Sequence, residues 1–329
     1  MKPARLLAAS CGIVSPEPLS PAARLEANRR LALEALDRAA AYRPDFVCFP
    51  EIQLQEGCGT FREMAALAET VPGPATEAVA AKARALRSHV IYPLLEREGD
   101  RAYNTALFLG RDGEIIGRYR KFHATAYEMK DGVTPGSDIP VWPTDCGRVG
   151  IAICFDLKFP AVGLALARAG AQCVFFPTMF YGGRRLISWA MDYGFHLVRC
   201  HASGGRIVDP TGETLAIEGP PAMVDTPSGR LKWTLAETNL DHCTYHLDFH
   251  FEKMERIAAR YGGGALIRRM PEEGIFNLVS ALPDRTVEEI EREFDLKSLR
   301  RYLDEAAELR ERLLRNGRPS PPFPPGAPR

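Results

Sequence analysis

The chain predicts a mixed α/β protein with helices layered over sheets, and three observations carry that expectation. Short apolar runs of strand length recur along most of the sequence. Alanine- and leucine-rich stretches of helical period lie between them, and Pro-Gly and Asp-Gly signals mark the joints. With 329 residues and 46% hydrophobic content the chain can bury a large core, so one large domain with an appendage is the simplest division.

In order, the residues after Arg5 read as a first buried strand, since the apolar stretch there is shorter than a signal-peptide core. Ser20-Pro21 supplies a cap and a first-turn proline, and Leu25, Leu31, Leu33 and Leu36 continue a helix to about Tyr42. A strand over 45–49 leads to Glu51. Pro72-Gly-Pro74 precedes an alanine-rich helix over 76–87. Strands over 90–95 and 104–109 join through Glu98-Gly-Asp100, and Asp112-Gly113 is a hairpin signal before a strand over 114–119 that leads to Lys121. A strand over 148–153 delivers Cys154, a helix follows over 160–169, and another strand covers 172–176. Further strands fit near 195–200, 205–208 and 213–217, with Asp209-Pro-Thr-Gly212 as a turn.

After about residue 250 the character changes. Thr286-Val-Glu-Glu289 is a capping box, and Leu299, Tyr302, Leu303, Ala306, Leu309 and Leu313 repeat at helical spacing. This helix packs on its own domain or meets a second subunit. The expected organisation is a domain over 1–250, a partly helical extension over 251–316, and an extended or disordered proline-rich tail over 317–329.

Lysine plus arginine equal aspartate plus glutamate at 42 each, so no net field favours nucleic acid or an anionic membrane, and a small molecule is the expected partner. No apolar run approaches the roughly 20 residues that span a bilayer. Eight cysteines occur with no C-x-x-C pair, and Cys48, Cys173 and Cys200 fall in apolar runs, as reduced thiols of a cytoplasmic protein would.

Three segments carry chemistry. Gly150-Ile-Ala-Ile-Cys-Phe-Asp-Leu-Lys-Phe-Pro160 ends a strand pattern in the thiol of Cys154. Asp45-Phe-Val-Cys-Phe-Pro-Glu51 ends another in a carboxylate, and Gly117-Arg-Tyr-Arg-Lys121 a third in an ammonium. Taken singly, Cys154 reads as core packing, Glu51 as a surface or capping acid and Lys121 as a solvated charge. A layered fold that gathers the three strand ends at one edge brings nucleophile, base and cation together.

These segments resemble the three signature segments of the nitrilase superfamily, the carbon-nitrogen hydrolases: Glu51 after Phe-Pro, Tyr119-Arg-Lys121-Phe-His123, and Ile153-Cys-Phe-Asp156 before Phe159-Pro160. Asn28, Pro72-Gly-Pro74, Tyr103-Asn-Thr105, Asp112-Gly-Glu114, Pro135-Gly136, Gly170-Ala171 and Asp209-Pro-Thr-Gly212 extend the match over roughly residues 5 to 245. The resemblance implies an α-β-β-α sandwich, doubled by association into a homodimer or higher homo-oligomer. It also implies a Glu51–Lys121–Cys154 triad with no metal or organic cofactor, and a second glutamate at Glu128. Glu51 would take the thiol proton and later protonate the leaving amine, Cys154 would form a thioester, and Lys121 with the Phe155 N–H would hold the oxyanion.

Nitrile-cleaving members tend to carry tryptophan and glutamate after the cysteine. Phe155-Asp156 looks more like the amidase and carbamoylase branches, which implies hydrolysis of a small linear amide or N-carbamoyl compound. Nitrile hydrolysis, amide-forming acyl transfer and a catalytically inactive scaffold are the alternatives. Tyr127, Met179, Phe180, Tyr181 and Trp189 are candidates for the pocket wall or for core packing, and Lys158, Arg184, Arg185 and Arg199 for a cation facing a substrate carboxylate or for plain surface charge. The sequence departs from the family at Lys158, at Ala161, and in the stretch Arg199-Cys-His-Ala-Ser-Gly-Gly-Arg206, which is much shorter than usual. His242, His246 and His250 would align for a metal on a helix, but no carboxylate or cysteine pattern completes a site and the segment also alternates like a strand. Gly262-Gly-Gly264 reads as a flexible turn, not a phosphate loop.

Overall fold

Apolar residues in most of the strands run continuously instead of alternating with polar ones, which marks sheets buried on both faces. The structure, a computed structural model, describes residues 3–13, 18–218, 224–226 and 229–316, so the proline-rich tail lies outside the described residues. Two large sheets carry the fold. One runs in the order Val224–Thr226, Gly229–Thr238, Ala4–Gly12, Phe46–Cys48, His89–Glu98, Arg101–Leu109, Ile115–Arg120, with short strands Glu69–Thr70 and Val133–Thr134 at its margins. The other runs Thr214–Ile217, Gly204–Val208, His196–His201, Cys173–Thr178, Gly147–Ile151, Val141–Thr144.

Because side chains alternate along a strand, each sheet feeds two cores. Leu6, Ala8, Phe46 and Cys48 of the first sheet meet Val149, Ile151, Cys173, Phe175, Val198 and Cys200 of the second between the layers. Leu7, Ala9, Val47 and Phe49 point the other way, onto helices Pro21–Ala39 and Pro74–Leu86. Val174, Phe176 and Leu197 of the second sheet point onto helices Pro160–Arg168 and Arg185–Tyr193. The result is the expected α-β-β-α sandwich. Ser20 caps the first helix, its Oγ accepting from the Ala23 N–H at 3.3 Å; that helix ends at Ala39, and a 3-10 turn over Ala40–Tyr42 follows.

The C-terminal unit differs from the expectation. Strand His242–His246 pairs with Ile275–Ser280, which pairs with Ala265–Met270, in a three-stranded antiparallel sheet. Helices Phe251–Tyr261 and Val287–Glu293 close over a separate core of Tyr245, Met254, Ile257, Phe276, Leu278 and Ile290. The boundary expected at residue 250 therefore cuts this unit, whose first strand starts at His242; the strands were hidden because Arg268 and Arg269 break their apolar pattern. The last helix, Leu299–Arg315, buries no residue fully and is tied to the sandwich by the Arg168–Asp304 ion pair at 2.9 Å. No described helix is long and apolar enough to cross a membrane.

Candidate active site

Strands Phe46–Cys48 and His89–Glu98 run parallel, as do Gly147–Ile151, Cys173–Thr178 and His196–His201. The carboxyl ends of parallel strands are where α/β sheets place their ligands. Glu51 follows the first of these strands, Cys154 follows Gly147–Ile151, and Met179 follows Cys173–Thr178. The backbone is strained at both reactive ends: Ile52 and Cys154 each sit at φ 47°. Left-handed backbone at a non-glycine residue costs on the order of 1–3 kcal/mol, most for a β-branched one, and persists only where surrounding bonds impose it.

Those bonds are present. Asp156 accepts from the Ile153 N–H at 2.9 Å, the His123 N–H at 2.8 Å and the Tyr119 hydroxyl at 2.7 Å, pinning the turn Cys154–Lys158 against the strand that leads to Lys121. Burial pushes the Asp156 carboxyl up despite these donors. After Glu51, Gln55 accepts from the Leu95 N–H at 2.8 Å, and the Asn28 amide donates to the carbonyls of Leu54 at 3.1 Å and Glu56 at 2.8 Å.

Between the strand ends lies a buried charge cluster. Lys121 Nζ donates to Glu51 Oε1 at 2.8 Å and to Glu128 Oε2 at 2.8 Å, and all three side chains are at most 2% exposed. The Asn104 amide bridges the carboxylates, donating to Glu51 Oε1 at 2.9 Å and Glu128 Oε1 at 2.8 Å. The Met179 N–H holds Glu51 Oε2 at 2.9 Å, and the Thr125 N–H holds Glu128 Oε2 at 2.7 Å in the capping box of the short helix Ala126–Lys130. Buried ions survive only with such complete hydrogen bonding. Burial opposes the charge of Lys121, but Glu51, the Cys154 sulfur and Glu128 outweigh it and hold the ammonium well above its ordinary range. Burial likewise opposes the Glu128 carboxylate, and Lys121 and Asn104 overcome it.

The Cys154 thiol is pushed up to about 12, first by burial and then by the Glu51 carboxylate, while Lys121 and the Met179 N–H pull it down. At neutral pH it therefore rests protonated beside Glu51, and moving its proton to that carboxyl group would produce the thiolate nucleophile and an acid together.

Around this centre Phe155 is half-buried, its ring edge-on to Phe159 at 5.2 Å, and Phe159 stacks on His123 at 3.6 Å. Tyr127 is 72% exposed on the helix that buries Glu128. Met179 and Tyr181 are exposed and Phe180 half-buried beneath Lys158, whose Nζ lies 5.4 Å from its ring. Trp189 does not line the site: it is buried in the core between the second sheet and its helices, near Tyr193 and Phe195. Arg184 and Arg185 are exposed. The three histidines share no helix face, because His242 and His246 lie in a strand and His250 precedes a helix.

Sequence reasoning passed over Asn104 as a site residue, although it stands in the matched Tyr103-Asn-Thr105 segment. It also missed His201. His201 Nε2–H donates to the Met179 carbonyl at 3.2 Å, and Nδ1 accepts from the Ser203 N–H at 3.1 Å, so the imidazole steadies the residue whose N–H holds Glu51. The shortened stretch 199–206 is a tight hairpin in which His201 pairs with Gly204, and the parallel register that sets His201 beside Thr178 brings the ring to Met179.

The carbon-nitrogen hydrolase family model matches residues 7–219, and the chain belongs to that family. Among its relatives, the bifunctional nitrilase/nitrile hydratase NIT4A of Lupinus angustifolius is 32% identical over 177 residues, covering 48% of this chain and 49% of that protein. The omega-amidase NIT3 of Saccharomyces cerevisiae is 28% identical over 153 residues, 39% of this chain and 53% of that protein. The chain thus spans about half the length of the curated relatives it matches. The crystal structure of Saccharomyces cerevisiae Nit3 superposes with TM-score 0.60 at 20% identity, over 79% of this chain and 95% of that one. A mutant amidase from Nesterenkonia sp. AN1, with the acetamide moiety of fluoroacetamide added at its active-site cysteine, gives TM-score 0.60 at 20% identity over 73% and 91%.

Proposed function

We propose that this protein hydrolyses a small linear amide or N-carbamoyl compound through a thioester on Cys154. The observation that carries the reading is the buried Glu51–Lys121–Glu128 cluster beside a protonated thiol on strained backbone. Glu51 takes the Sγ proton as sulfur attacks the carbonyl carbon, and Lys121 and the Phe155 N–H stabilise the oxyanion. The proton passes from Glu51 to the departing nitrogen, ammonia or an amine leaves, and Glu51 then activates water against the thioester. Glu128 keeps Lys121 charged and aimed. The covalent adduct in the Nesterenkonia amidase supports the same role for Cys154. Phe155-Asp156 after the cysteine supports an amide over a nitrile.

Association with a second copy fits the exposed Leu303, Leu309 and Leu314 of the last helix, and a cytoplasmic setting fits eight cysteines that are all free. The deciding experiment measures ammonia release from short amides, N-carbamoyl amino acids, N-carbamoyl amines and nitriles, with intact-mass detection of an acyl adduct on Cys154. Turnover of nitriles alone, or the absence of any adduct, overturns the reading.

A further inference from the structure

Met179 is held at both of its backbone polar groups. Its N–H donates to Glu51 Oε2 at 2.9 Å and also faces the Cys154 sulfur, while its carbonyl accepts from His201 Nε2 at 3.2 Å. One residue therefore touches the carboxylate, the thiol and the imidazole. The parallel register sets His201 beside Thr178, the residue before Met179, so the contact is built into the sheet.

The bonds around the imidazole run in a single direction. A carbonyl only accepts, so the proton sits on Nε2 and Nδ1 is left as an acceptor. Nδ1 takes the Ser203 N–H at 3.1 Å and the Ser203 hydroxyl at 2.9 Å, and that hydroxyl accepts in turn from the Tyr181 hydroxyl at 2.6 Å. The Tyr181 ring stacks on the imidazole at 4.5 Å. A chain of donors thus leads from the exposed Tyr181 through Ser203 and His201 to Met179, and the links of such a chain strengthen one another. Protonation breaks it, because an Nδ1–H would face the Ser203 N–H, donor against donor.

Among the described residues, the charged and titratable groups that act on the ring or stack against it come from three elements. They are Arg199 on its own strand, Glu51 after the strand Phe46–Cys48, and Tyr181 after the strand Cys173–Thr178. Burial holds the imidazole below its ordinary 6.5 and Arg199 adds to this, while the Met179 carbonyl and Glu51 oppose them. At neutral pH the ring is uncharged and the chain of donors is complete.

We infer that His201 is a positioning residue for the thiol and the base: in its uncharged form it fixes Met179 so that the Met179 N–H stays on Glu51 and Cys154. Its effect on turnover rests on the amide-hydrolase reading above. As pH falls and the ring gains a proton, Met179 is released and the reacting pair loses its shared donor.

Two readouts test the inference: alkylation of Cys154 by iodoacetamide, followed by peptide mass spectrometry, and ammonia release from butyramide. His201→Leu removes the donor and should slow both about fivefold at neutral pH, the size of one ordinary hydrogen bond. His201→Gln keeps an N–H of similar reach that does not titrate, so it should restore most of the rate and move the acid limb of kcat/KM to lower pH. Alkylation of His201→Leu at the wild-type rate, a His201→Gln variant as slow as His201→Leu, or an acid limb that does not move overturns the inference. If His201→Leu does not fold, judged by circular dichroism melting, His201→Asn, whose amide is too short to reach the Met179 carbonyl, takes its place. No butyramide hydrolysis by the wild-type protein counts against the amide reading alone, and the alkylation rates then decide for or against His201.

Discussion

At the rim formed by the strand ends Lys121 is buried between two carboxylates and held charged, whereas at the seam with the C-terminal unit His196 and His242 are buried against each other and held neutral. His242 Nε2–H faces the Gln172 carbonyl at 3.1 Å and His196 Nδ1 at 3.1 Å, and His196 Nε2 meets Thr238 Oγ1 at 2.9 Å. Both clusters are buried. The difference is in partners: carboxylates make ionisation favourable at the rim, while a carbonyl, a hydroxyl and a second imidazole make protonation unfavourable at the seam. Burial alone does not determine whether a side chain is charged; the groups buried with it do.

The largest expected effect isolates the rim. Cys154→Ala should lower turnover by about a thousandfold or more with an unchanged circular dichroism spectrum, because the rest of the site stays assembled without a nucleophile. Activity surviving that change breaks the mechanism. Next, Lys121→Met leaves Glu51 and Glu128 facing each other without a cation. It should cost about 3–5 kcal/mol of stability in urea unfolding, as for other broken buried pairs, together with nearly all activity. A loss under about 1 kcal/mol shows that the cluster is more open to water than its geometry indicates.

Acid titration separates the two clusters. The Glu128 carboxyl is held low, so its contribution is present above the unfolded value near 4.3 and is lost as pH falls through its lower folded value. Lys121 is held high, so its contribution is complete below about 10.4 and is lost only above that. The seam behaves differently. Burial lowers His242 from an ordinary 6.5 to about 4, so the unfolded chain binds the proton first and stability declines as pH falls from about 6.5 to 4. His242 alone contributes on the order of 3 kcal/mol to that decline. His242→Gln should flatten the urea-midpoint slope across this window, and an unchanged slope would mean that the pair is not the seam's titrating element. The smallest effect lies in the C-terminal unit. Thr286 accepts from the Glu289 N–H at 3.2 Å, so Thr286→Ala should cost about 1 kcal/mol there and leave kcat unchanged.

What could be read in advance follows from range. Glu51, Lys121 and Cys154 each stand at the end of a local strand pattern, and those patterns lie within a residue or two of the observed strands. Trp189 could not be placed because an aromatic after a strand end reads alike as pocket wall or core, and only the packing of Arg185–Tyr193 onto the second sheet distinguishes them. His201 and Arg199 lie in a stretch whose shortness is visible in the sequence, but their contacts to Met179 and Tyr181 cross from one strand end to the next. The three-stranded C-terminal sheet was not legible because the consecutive Arg268 and Arg269 interrupt the apolar pattern of one of its strands.

By itself the sequence determined the alternation of strand and helix, the two-sided apolar strands that require layers, and the identity of the thiol, carboxylate and ammonium at the strand ends. Only the tertiary structure decided that Lys121 meets Glu51 across 70 residues, that His196 stays neutral beside His242, and that Arg199 meets the Tyr181 carbonyl. Local patterns follow from steric and solvation preferences of neighbouring residues, whereas the charge state of a buried group depends on desolvation and on partners brought from distant parts of the chain.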